Sequence, residues 1–367
     1  MKILILADAG STHTTKWVNS LISRGVEIIL YSLSEFNQND YIDSPLLKIY
    51  ATNITSSKNI HERGIFKKFI YVMALPRLKR IMKKHKPDIL HAHYASSYGT
   101  LGALCGMHPF VLSMWGSDVY LFPRKNKLFT SIIKYNLKKA DLVLSTSKMM
   151  ALETSKYTDK KIGITPFGVD TKLFSKSENI SKDKDQIVIG TIKKLDYIYG
   201  IDLLIKAFAI LLNKNRNLKM KLVIAGIGNE MENLKKLTKA EGVSDFVEFP
   251  GRISQEKVAE YLNFFDVYVA LSRSESFGVA IVEAMSCGTP VVVSDAGGLP
   301  EVVEDNVSGF VVPTESIDEA ADAIQKLIDD KSLREKFSKN GRLKVEKNYD
   351  WEKNVDVMYT HYETLLK

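Results

Sequence analysis

The sequence predicts an α/β protein built from two doubly wound domains, each with a parallel sheet. The chain has 367 residues, which exceeds the usual size of a single hydrophobic core. In both halves, short apolar runs of β-forming residues alternate with helical stretches. This alternation is typical of βαβ units, which form parallel sheets with right-handed crossovers and helices on both faces.

The strands are predicted from the apolar runs, with helices between most of them. In the first half, strands are expected at residues 3–7, 26–31, 47–51, 89–92, 110–114, 142–145 and 162–165. In the second half, they are expected at residues 187–192, 220–225, 246–249, 267–271, 290–294 and 309–312.

A hydrophilic stretch without apolar periodicity divides the two halves. We therefore predict an N-terminal domain over residues 1–175, a linker over 176–186 and a C-terminal domain over 187–348. Residues 349–367 are predicted to form a C-terminal helix that crosses back to the N-terminal domain. Ligands of doubly wound sheets bind beyond the carboxyl ends of the strands, so we expect the two domains to face each other across a cleft that holds the site.

The composition argues against several classes of protein. Hydrophobic residues make up 45% of the chain and charged residues 26%, as in an ordinary globular protein. Cys105 and Cys287 are the only cysteines and lie far apart, which argues against a disulfide framework and a cysteine-built zinc site. No apolar stretch approaches the about 20 residues that span a bilayer, and the first apolar run is too short for a signal peptide. A cytoplasmic location is therefore expected.

The net charge of +8 is concentrated in part in a basic amphipathic segment over residues 63–86. One interpretation is the solvated face of a surface helix whose apolar side lies on the core. The other is a peripheral attachment to an anionic membrane surface. Nucleic acid is not expected as a partner.

The most informative segment is residues 272–278, which follows a predicted strand and precedes a helical run. A helix that begins at Phe277 and Gly278 would direct unpaired N–H groups at an anion such as a diphosphate. Glu283, over one turn further along, could accept both hydroxyl hydrogens of a ribose, and Glu275 could reach hydroxyls of a transferred sugar. The spacing of the two glutamates alone favours a capped, solvated helix, so the interpretation depends on their surroundings.

Residues 275–312, which read ESFGVAIVEAMSCGTPVVVSDAGGLPEVVEDNVSGFVV, closely resemble the donor-site signature of the family 4 glycosyltransferases. The resemblance extends to residues 168–170, 200–204, 225–228 and 249–252, whereas the N-terminal half matches more loosely. It implies the two-domain architecture called GT-B. It also implies a retaining transfer of sugar from a nucleotide diphosphate donor to a glycan or lipid-linked glycan, in the synthesis of a cell-surface polysaccharide such as lipopolysaccharide or capsule.

The resemblance also assigns roles to single residues. Matching to the family places Glu275 on the donor sugar and Glu283 on the ribose, and catalysis is expected to rest on Glu275 and Lys193. The other donor-binding residues that it implies are backbone groups and cations, namely Gly10, Lys194, Gly226, Ser276, Phe277, Gly278, Gly297 and Gly298. For Gly10, an ordinary turn between strand and helix is an equal alternative.

One position departs from the family pattern. The family carries an arginine and, five residues later, a lysine, both of which bind the diphosphate. Lys193 occupies the first position here and Ile198 the second. The loss of one charge-assisted contact would weaken donor binding by about 1.5 to 3 kcal/mol unless a neighbour such as Lys194 replaces it.

On the acceptor side, we single out His13, His93, Trp115 and Asp118. His91 and His93 alternate along one predicted strand and so share a face, where His93 is either a site residue or a structural histidine. Trp115 stands where many relatives have a histidine, and either stacks on a sugar ring or packs in the core. Asp118 either binds an acceptor hydroxyl or caps the next turn, of which the cap is favoured.

The expected mechanism needs neither a cofactor nor a metal, because Lys193, Lys194 and a helix N-terminus could neutralise the departing diphosphate. Three alternatives differ from this prediction. A related epimerase or phosphorylase should lack the Glu275 and Glu283 pair, and an NAD-dependent enzyme needs a third glycine after Gly226 and Gly228. A non-catalytic partner subunit would agree with Ile198 and Trp115.

Overall fold

The computed structural model describes residues 1–52, 73–177, 183 and 185–367, which divide into two compact units. The N-terminal unit comprises Met1–Pro166 together with Glu352–Lys367, and the C-terminal unit comprises Phe167–Trp351. The predicted linker at 176–186 falls within the span of the C-terminal unit, although residues 178–182 and 184 lie outside the described residues.

The N-terminal unit contains a seven-stranded parallel sheet. Its strands are β1 (Lys2–Leu6), β2 (Glu27–Ser32), β3 (Leu47–Ala51), β4 (Ile89–His93), β5 (Phe110–Met114), β6 (Leu142–Ser145) and β7 (Ile162–Ile164). The described helices between them are α1 (Thr12–Ile22), α2 (Leu75–His85), α3 (Tyr98–Cys105), α4 (Ser117–Tyr120), α5 (Lys127–Lys139) and α6 (Lys148–Thr154). The strand order is β3-β2-β1-β4-β5-β6-β7.

The C-terminal unit contains a six-stranded parallel sheet. Its strands are β8 (Gln186–Ile192), β9 (Lys219–Ala225), β10 (Val247–Gly251), β11 (Val267–Ala270), β12 (Val291–Ser294) and β13 (Phe310–Val312). Its described helices are α7 (Ile201–Lys214), α8 (Met231–Ala240), α9 (Gln255–Phe264), α10 (Val279–Ser286), α11 (Leu299–Val302), α12 (Ile317–Asp329) and α13 (Lys331–Asn348). The strand order is β10-β9-β8-β11-β12-β13.

The predicted fold class is confirmed, and every predicted strand is found with ends that differ by at most two residues. This agreement has a physical reason. Helices cover both faces of each sheet, so central strands such as β11 and β12 are buried along their whole length and appear as largely apolar runs in the sequence.

In both sheets the strand order reverses at one point. In the N-terminal unit, β1 is flanked by β2 and β4; in the C-terminal unit, β8 is flanked by β9 and β11. The connections that leave β1 and β4 run in opposite directions, and so do those that leave β8 and β11. A crevice therefore forms beyond the carboxyl ends of each pair. The residues that follow β1, β4, β8 and β11 are therefore the ones that the fold places at ligand-binding positions.

The last helix, α14 (Trp351–Leu366), returns to the N-terminal unit from Glu352 onward. Arg24 forms ion pairs with Glu352 at 2.9 Å and with Asp356 at 2.8 Å. Tyr362, which is fully buried, anchors the far end of the helix. Within the described ranges, no helix is long and apolar enough to cross a membrane.

Gly226, directly after β9, allows two loops of the C-terminal unit to approach each other closely. Its φ of +137° is a conformation that side chains rarely adopt, and a Cβ atom there would lie 1.8 Å from the carbonyl oxygen of Lys193. The Gly226 N–H donates to the carbonyl of Gly251 at 2.8 Å, which fixes the turn. Gly242 also has a positive φ, of +71°, but a Cβ atom there would meet nothing within 4 Å.

This contrast gives a matched pair of variants for measurement by urea denaturation. Gly242→Ala should cost about 1 kcal/mol of unfolding free energy, the ordinary cost of a left-handed alanine. Gly226→Ala should cost about 3 kcal/mol or more, because steric overlap with the Lys193 backbone adds to the strain. Equal losses in the two variants would show that the close approach at Gly226 is not a constraint.

Candidate functional site

The centre of the candidate site in the C-terminal unit is an ion pair between Lys193 and Glu275. Lys193 follows β8 and Glu275 lies in the loop after β11, so both come from the point where the strand order reverses. The Lys193 Nζ and Glu275 Oε2 atoms are 2.5 Å apart, and the two side chains are 11% and 14% exposed. The structure therefore brings together the two residues that the sequence predicts to be catalytic.

Two tyrosines that the sequence analysis did not identify surround the Lys193 ammonium. Its Nζ lies 5.1 Å from the centre of the Tyr199 ring, a distance at which the ring face attracts a cation. Tyr268 lies near it and donates its hydroxyl to the carbonyl of Ile192 at 3.1 Å. Burial alone would lower the pKa of Lys193, but the Glu275 carboxylate together with the hydroxyls of Tyr268 and Tyr199 outweighs burial and holds that pKa above its ordinary value. Lys193 is therefore charged near neutral pH.

The loop that carries Glu275 rests on the Gly297 and Gly298 turn. The Gly298 N–H donates to the carbonyl of Glu275 at 3.1 Å. Gly297 has a φ of +54°, and a Cβ atom there would lie 1.8 Å from the same carbonyl oxygen. The Ser294 hydroxyl bonds the carbonyl of Ser272 at 2.6 Å. The two glycines therefore act as a close backbone support that sets the position of Glu275.

Helix α10 begins beside this loop, with Gly278 as its N-cap at a φ of +102°. The first N–H groups of an α-helix have no partner within the helix and carry the positive end of its dipole, although here the Ile281 N–H donates to the Gly278 carbonyl at 3.0 Å. Phe277 is buried, and its ring contacts the rings of Tyr349 and Phe167. The Phe277 side chain belongs to the core, so only its backbone is available to a ligand. Glu283, half-buried, lies one turn further along the helix.

Lys194 and Ile198 differ from Lys193 in their surroundings. The Lys194 ammonium pairs with Asp196 at 2.6 Å, and its side chain is 62% exposed. Its hydrogen bond to Asp196 raises the pKa of Lys194. The Ile198 residue is 46% exposed and supplies no charge. Of the cations in this loop, Lys193 is thus the one that the structure pairs with Glu275.

In the N-terminal unit, Gly10 and His13 follow β1. The Gly10 N–H donates to the Asp8 carboxylate at 3.0 Å, and a Cβ atom on Gly10 would lie 2.9 Å from the carbonyl oxygen of Glu35. The turn is therefore tight, and it leads directly into α1. His13 is the second residue of this helix, and its ring lies 5.9 Å from that of Trp115.

A row of aromatic rings lies at the carboxyl ends of β1, β4 and β5 of the same unit. The His93 ring is 4.6 Å from Trp115 and 4.4 Å from His91, measured between centres. His91 bonds the hydroxyls of Tyr362 at 2.6 Å and Ser113 at 2.8 Å, and so is a structural histidine. The Nδ1 atom of His93 is buried and has no hydrogen-bond partner among the residues that the structure describes.

These histidines are uncharged near neutral pH. Burial lowers the pKa of His93 to about 3, and burial together with Lys16 lowers the pKa of His13 to about 4. The pKa of His91 also lies well below its ordinary value because of burial. His13 and His93, together with half-buried Trp115, therefore form an aromatic cluster without formal charge.

Asp118 has a structural role. Its carboxylate is fully buried and accepts the N–H groups of Ala95 at 2.6 Å, Gly116 at 2.8 Å and Trp115 at 3.3 Å. Gly116 is the N-cap residue of α4, so the Asp118 carboxylate lies at the start of that helix, where a cap was expected, and it also bonds the more distant backbone of Ala95. Burial raises the pKa of Asp118, although its backbone donors oppose the shift. Asp118 therefore fixes the backbone that carries Trp115.

Both halves of the chain match known glycosyltransferase families. Residues 174–344 match the family described as "Glycosyl transferases group 1", and residues 2–147 match "Glycosyl transferase 4-like". The chain is 25% identical to N-acetyl-alpha-D-glucosaminyl L-malate synthase of Bacillus anthracis over 336 residues. The aligned region covers 88% of this chain and 87% of that protein.

Solved structures show the same fold. Sucrose-phosphate synthase of Thermosynechococcus elongatus is similar with a TM-score of 0.85 at 20% identity, over 100% of this chain and 99% of that one. Anabaena HepE in complex with UDP is similar with a TM-score of 0.82 at 19% identity, over 99% of this chain and 100% of that one.

The ion pair between Lys193 and Glu275 makes a prediction about stability. Lys193→Met should lower the unfolding free energy by about 3 kcal/mol, because it leaves a poorly hydrated carboxylate without its cation. The double variant Lys193→Met/Glu275→Leu should recover most of that loss. Lys194→Met removes an exposed pair and should change stability by less than about 1 kcal/mol. Urea denaturation measures all three, and a double variant as unstable as Lys193→Met would contradict the prediction.

Proposed function

Because this chain is a group 1 glycosyltransferase with the GT-B fold, we propose that it transfers a sugar from a nucleoside diphosphate donor with retention at the anomeric carbon. The acceptor is a glycan or a lipid-linked glycan, in the synthesis of a cell-surface polysaccharide such as lipopolysaccharide or capsule. The observation that carries this proposal is the Lys193 and Glu275 ion pair beside the N-terminus of α10.

A nucleotide sugar can replace both partners of this ion pair. Its diphosphate offers Lys193 a new anion, and the hydroxyls of its sugar offer Glu275 new donors. The pair can therefore open without leaving an unpaired charge in a poorly hydrated place. The first turn of α10 receives the diphosphate, and Glu283 accepts the hydroxyl hydrogens of the ribose.

In the proposed reaction, the bond between the anomeric carbon and the diphosphate oxygen breaks, and a bond from the same carbon to the acceptor oxygen forms on the same face. The acceptor proton moves to an oxygen of the departing diphosphate. Lys193 and the N–H groups of α10 stabilise the negative charge that develops on this leaving group. Because these groups supply positive charge, we propose that the reaction needs no metal ion and no other cofactor.

We assign acceptor binding to the N-terminal unit, through His13, His93 and Trp115. The depressed pKa values of both histidines leave these rings uncharged at neutral pH, which suits a sugar rather than a formally charged group. Trp115 offers a face for the apolar side of a sugar ring. Asp118 supports this surface from below without touching the acceptor.

The donor assignment is tested with two glutamate variants. A panel of nucleotide sugars is first screened by the rise in melting temperature that binding to the folded state produces. With the donor so identified, Glu283→Ala should raise its KM about tenfold, which corresponds to the loss of one charge-assisted contact. Glu275→Ala should lower kcat about 100-fold, because its contact serves the sugar in the transition state.

Glu319→Ala, an exposed glutamate at the start of α12, is the matched control and should behave as wild type. The rate should also be unchanged by EDTA if no metal takes part. Normal turnover by both glutamate variants would refute the residue roles. If no nucleotide sugar in the panel raises the melting temperature or is hydrolysed, the proposed activity itself is wrong.

A basic face on the N-terminal unit supports a second part of the proposal, that the enzyme lies in the cytoplasm against the anionic inner face of a membrane. Residues 63–72 of the predicted basic segment lie outside the described residues. In its described part, α2 exposes Arg77, Lys79, Arg80, Lys83 and Lys84.

The neighbouring helices add no acidic residue to this part of the unit. Helix α3 packs against both α2 and α5, and none of the three contains a carboxylate. The exposed side chains of Leu121 and Leu128 lie before and at the start of α5, and are apolar groups that can enter a lipid interface. Cations combined with exposed leucines favour a lipid surface over a nucleic acid.

Co-sedimentation with vesicles tests the membrane proposal. The protein should pellet with phosphatidylglycerol vesicles at low salt, but not with phosphatidylcholine vesicles. Each basic residue near an anionic surface contributes about 1 kcal/mol, so changing Lys79, Arg80, Lys83 and Lys84 to Glu should release it. The matched control changes four exposed lysines of α13 to Glu, namely Lys331, Lys336, Lys339 and Lys347.

The control variant should remain bound, and neither variant should lose donor hydrolysis. Binding that ignores lipid charge, or release by both variants alike, would show that α2 is only the solvated face of its unit.

A further inference from the structure

Arg273, two residues before Glu275, is held by hydrogen bonds from every N–H group of its guanidinium. Its Nη1 and Nη2 atoms form a fork with the Asp202 carboxylate at 2.8 and 2.7 Å. Its Nε donates to Glu315 at 2.6 Å, and Nη2 also reaches Glu315 at 3.4 Å. The fifth N–H, on Nη1, donates to the carbonyl of Tyr197 at 2.7 Å. The side chain is only 13% exposed.

Arg273 and its partners follow three different strands. Tyr197 and Asp202 follow β8, Arg273 itself follows β11, and Glu315 follows β13. The guanidinium carbon also lies 3.9 Å from the centre of the Tyr197 ring, so the two planes are in contact. Although burial opposes the ionisation of Asp202, the Arg273 guanidinium lowers the pKa of that carboxyl. Both groups of the fork therefore stay charged near neutral pH.

The backbone at Arg273 joins the same two loops. The N–H groups of Arg273 and Ser274 donate to the carbonyl of Ile198, at 2.8 and 3.4 Å. Lys193 lies five residues before Ile198, and Glu275 immediately follows Ser274. These hydrogen bonds therefore join the loop of Lys193 to the loop of Glu275.

We propose that Arg273 is a positioning residue that clamps the loop after β8 to the loop after β11, and thereby sets Glu275 for its contact with the donor sugar. Arg273 itself does not touch the donor, because all five of its N–H groups are used within the protein. Its flat fork is essential, since a lysine has three donors on one atom and cannot bond both oxygens of Asp202 together with Glu315 and Tyr197. The role of Glu275 in this inference rests on the function proposed above.

The clamp is tested without any donor by amide hydrogen exchange. In Arg273→Lys, the amides of residues 193–200 and 272–278 should exchange at least tenfold faster than in wild type. The control is Arg334→Lys, because Arg334 also bonds backbone carbonyls, those of Leu327 and Ile328, but contacts neither loop. It should leave exchange in both loops unchanged. Unchanged exchange in Arg273→Lys would overturn the clamp.

The link to Glu275 is tested by a double-mutant cycle with the donor that the panel identifies, beginning with UDP-glucose. Arg273→Lys alone should lower kcat at least tenfold and change the donor KM less than threefold, because the diphosphate and ribose contacts remain. In a Glu275→Gln background, it should lower kcat less than twofold further. In a Glu283→Ala background, Arg273→Lys should still lower kcat at least tenfold.

If Arg273 only stabilised the fold, Arg273→Lys would lower kcat equally in all three backgrounds. A fall in melting temperature would then account for the lower activity. That result would overturn the positioning role. If no donor is turned over, the proposed function fails, and hydrogen exchange alone decides whether the clamp exists.

Discussion

A lysine ammonium that is largely withdrawn from water remains charged only if an anion lies in contact with it. In the C-terminal unit that anion is Glu275, and the requirement shapes more than two side chains. The ion pair joins loops that follow neighbouring strands of a parallel sheet, so both loops must be held at one separation. Gly226 supports the first loop, Gly297 supports the second, and Arg273 fastens them together. Much of the local architecture thus serves one electrostatic contact.

The two units use the same topology for different chemistry. Each sheet reverses its strand order once, and in each the candidate site residues lie at the carboxyl ends of strands at or beside that point. In the C-terminal unit those side chains form a charged pair, which suits a charged ligand. In the N-terminal unit, His13 and His93 with Trp115 form an uncharged aromatic surface. The fold therefore determines where a ligand binds, and the loop residues determine which kind of ligand it is.

The sequence was sufficient to predict the strands, because buried parallel strands are largely apolar runs. It was also sufficient to identify the Glu275 and Glu283 pair, because both residues lie within one strand-to-helix unit. It could not supply contacts that depend on strand order. The Lys193 and Glu275 pair spans 82 residues, and Arg273 reaches Asp202 across 71. The same limit applies to the unit boundary: residues after Phe167 join the C-terminal unit, where Ser175 and Ser177 bond Asn263. No local pattern encodes that contact.

The N-terminal unit is discontinuous along the chain, and this affects how it is made. Its buried hydrogen bond between His91 and Tyr362 joins residues that are 271 positions apart. Domains generally fold in order as they leave the ribosome. Here, however, the whole C-terminal unit must be synthesised before α14 is available to cover the N-terminal unit. The half of the enzyme that is translated first is therefore completed last. Until then, His91 lacks its tyrosine partner, and apolar surface that α14 later covers is open to chaperones or to aggregation.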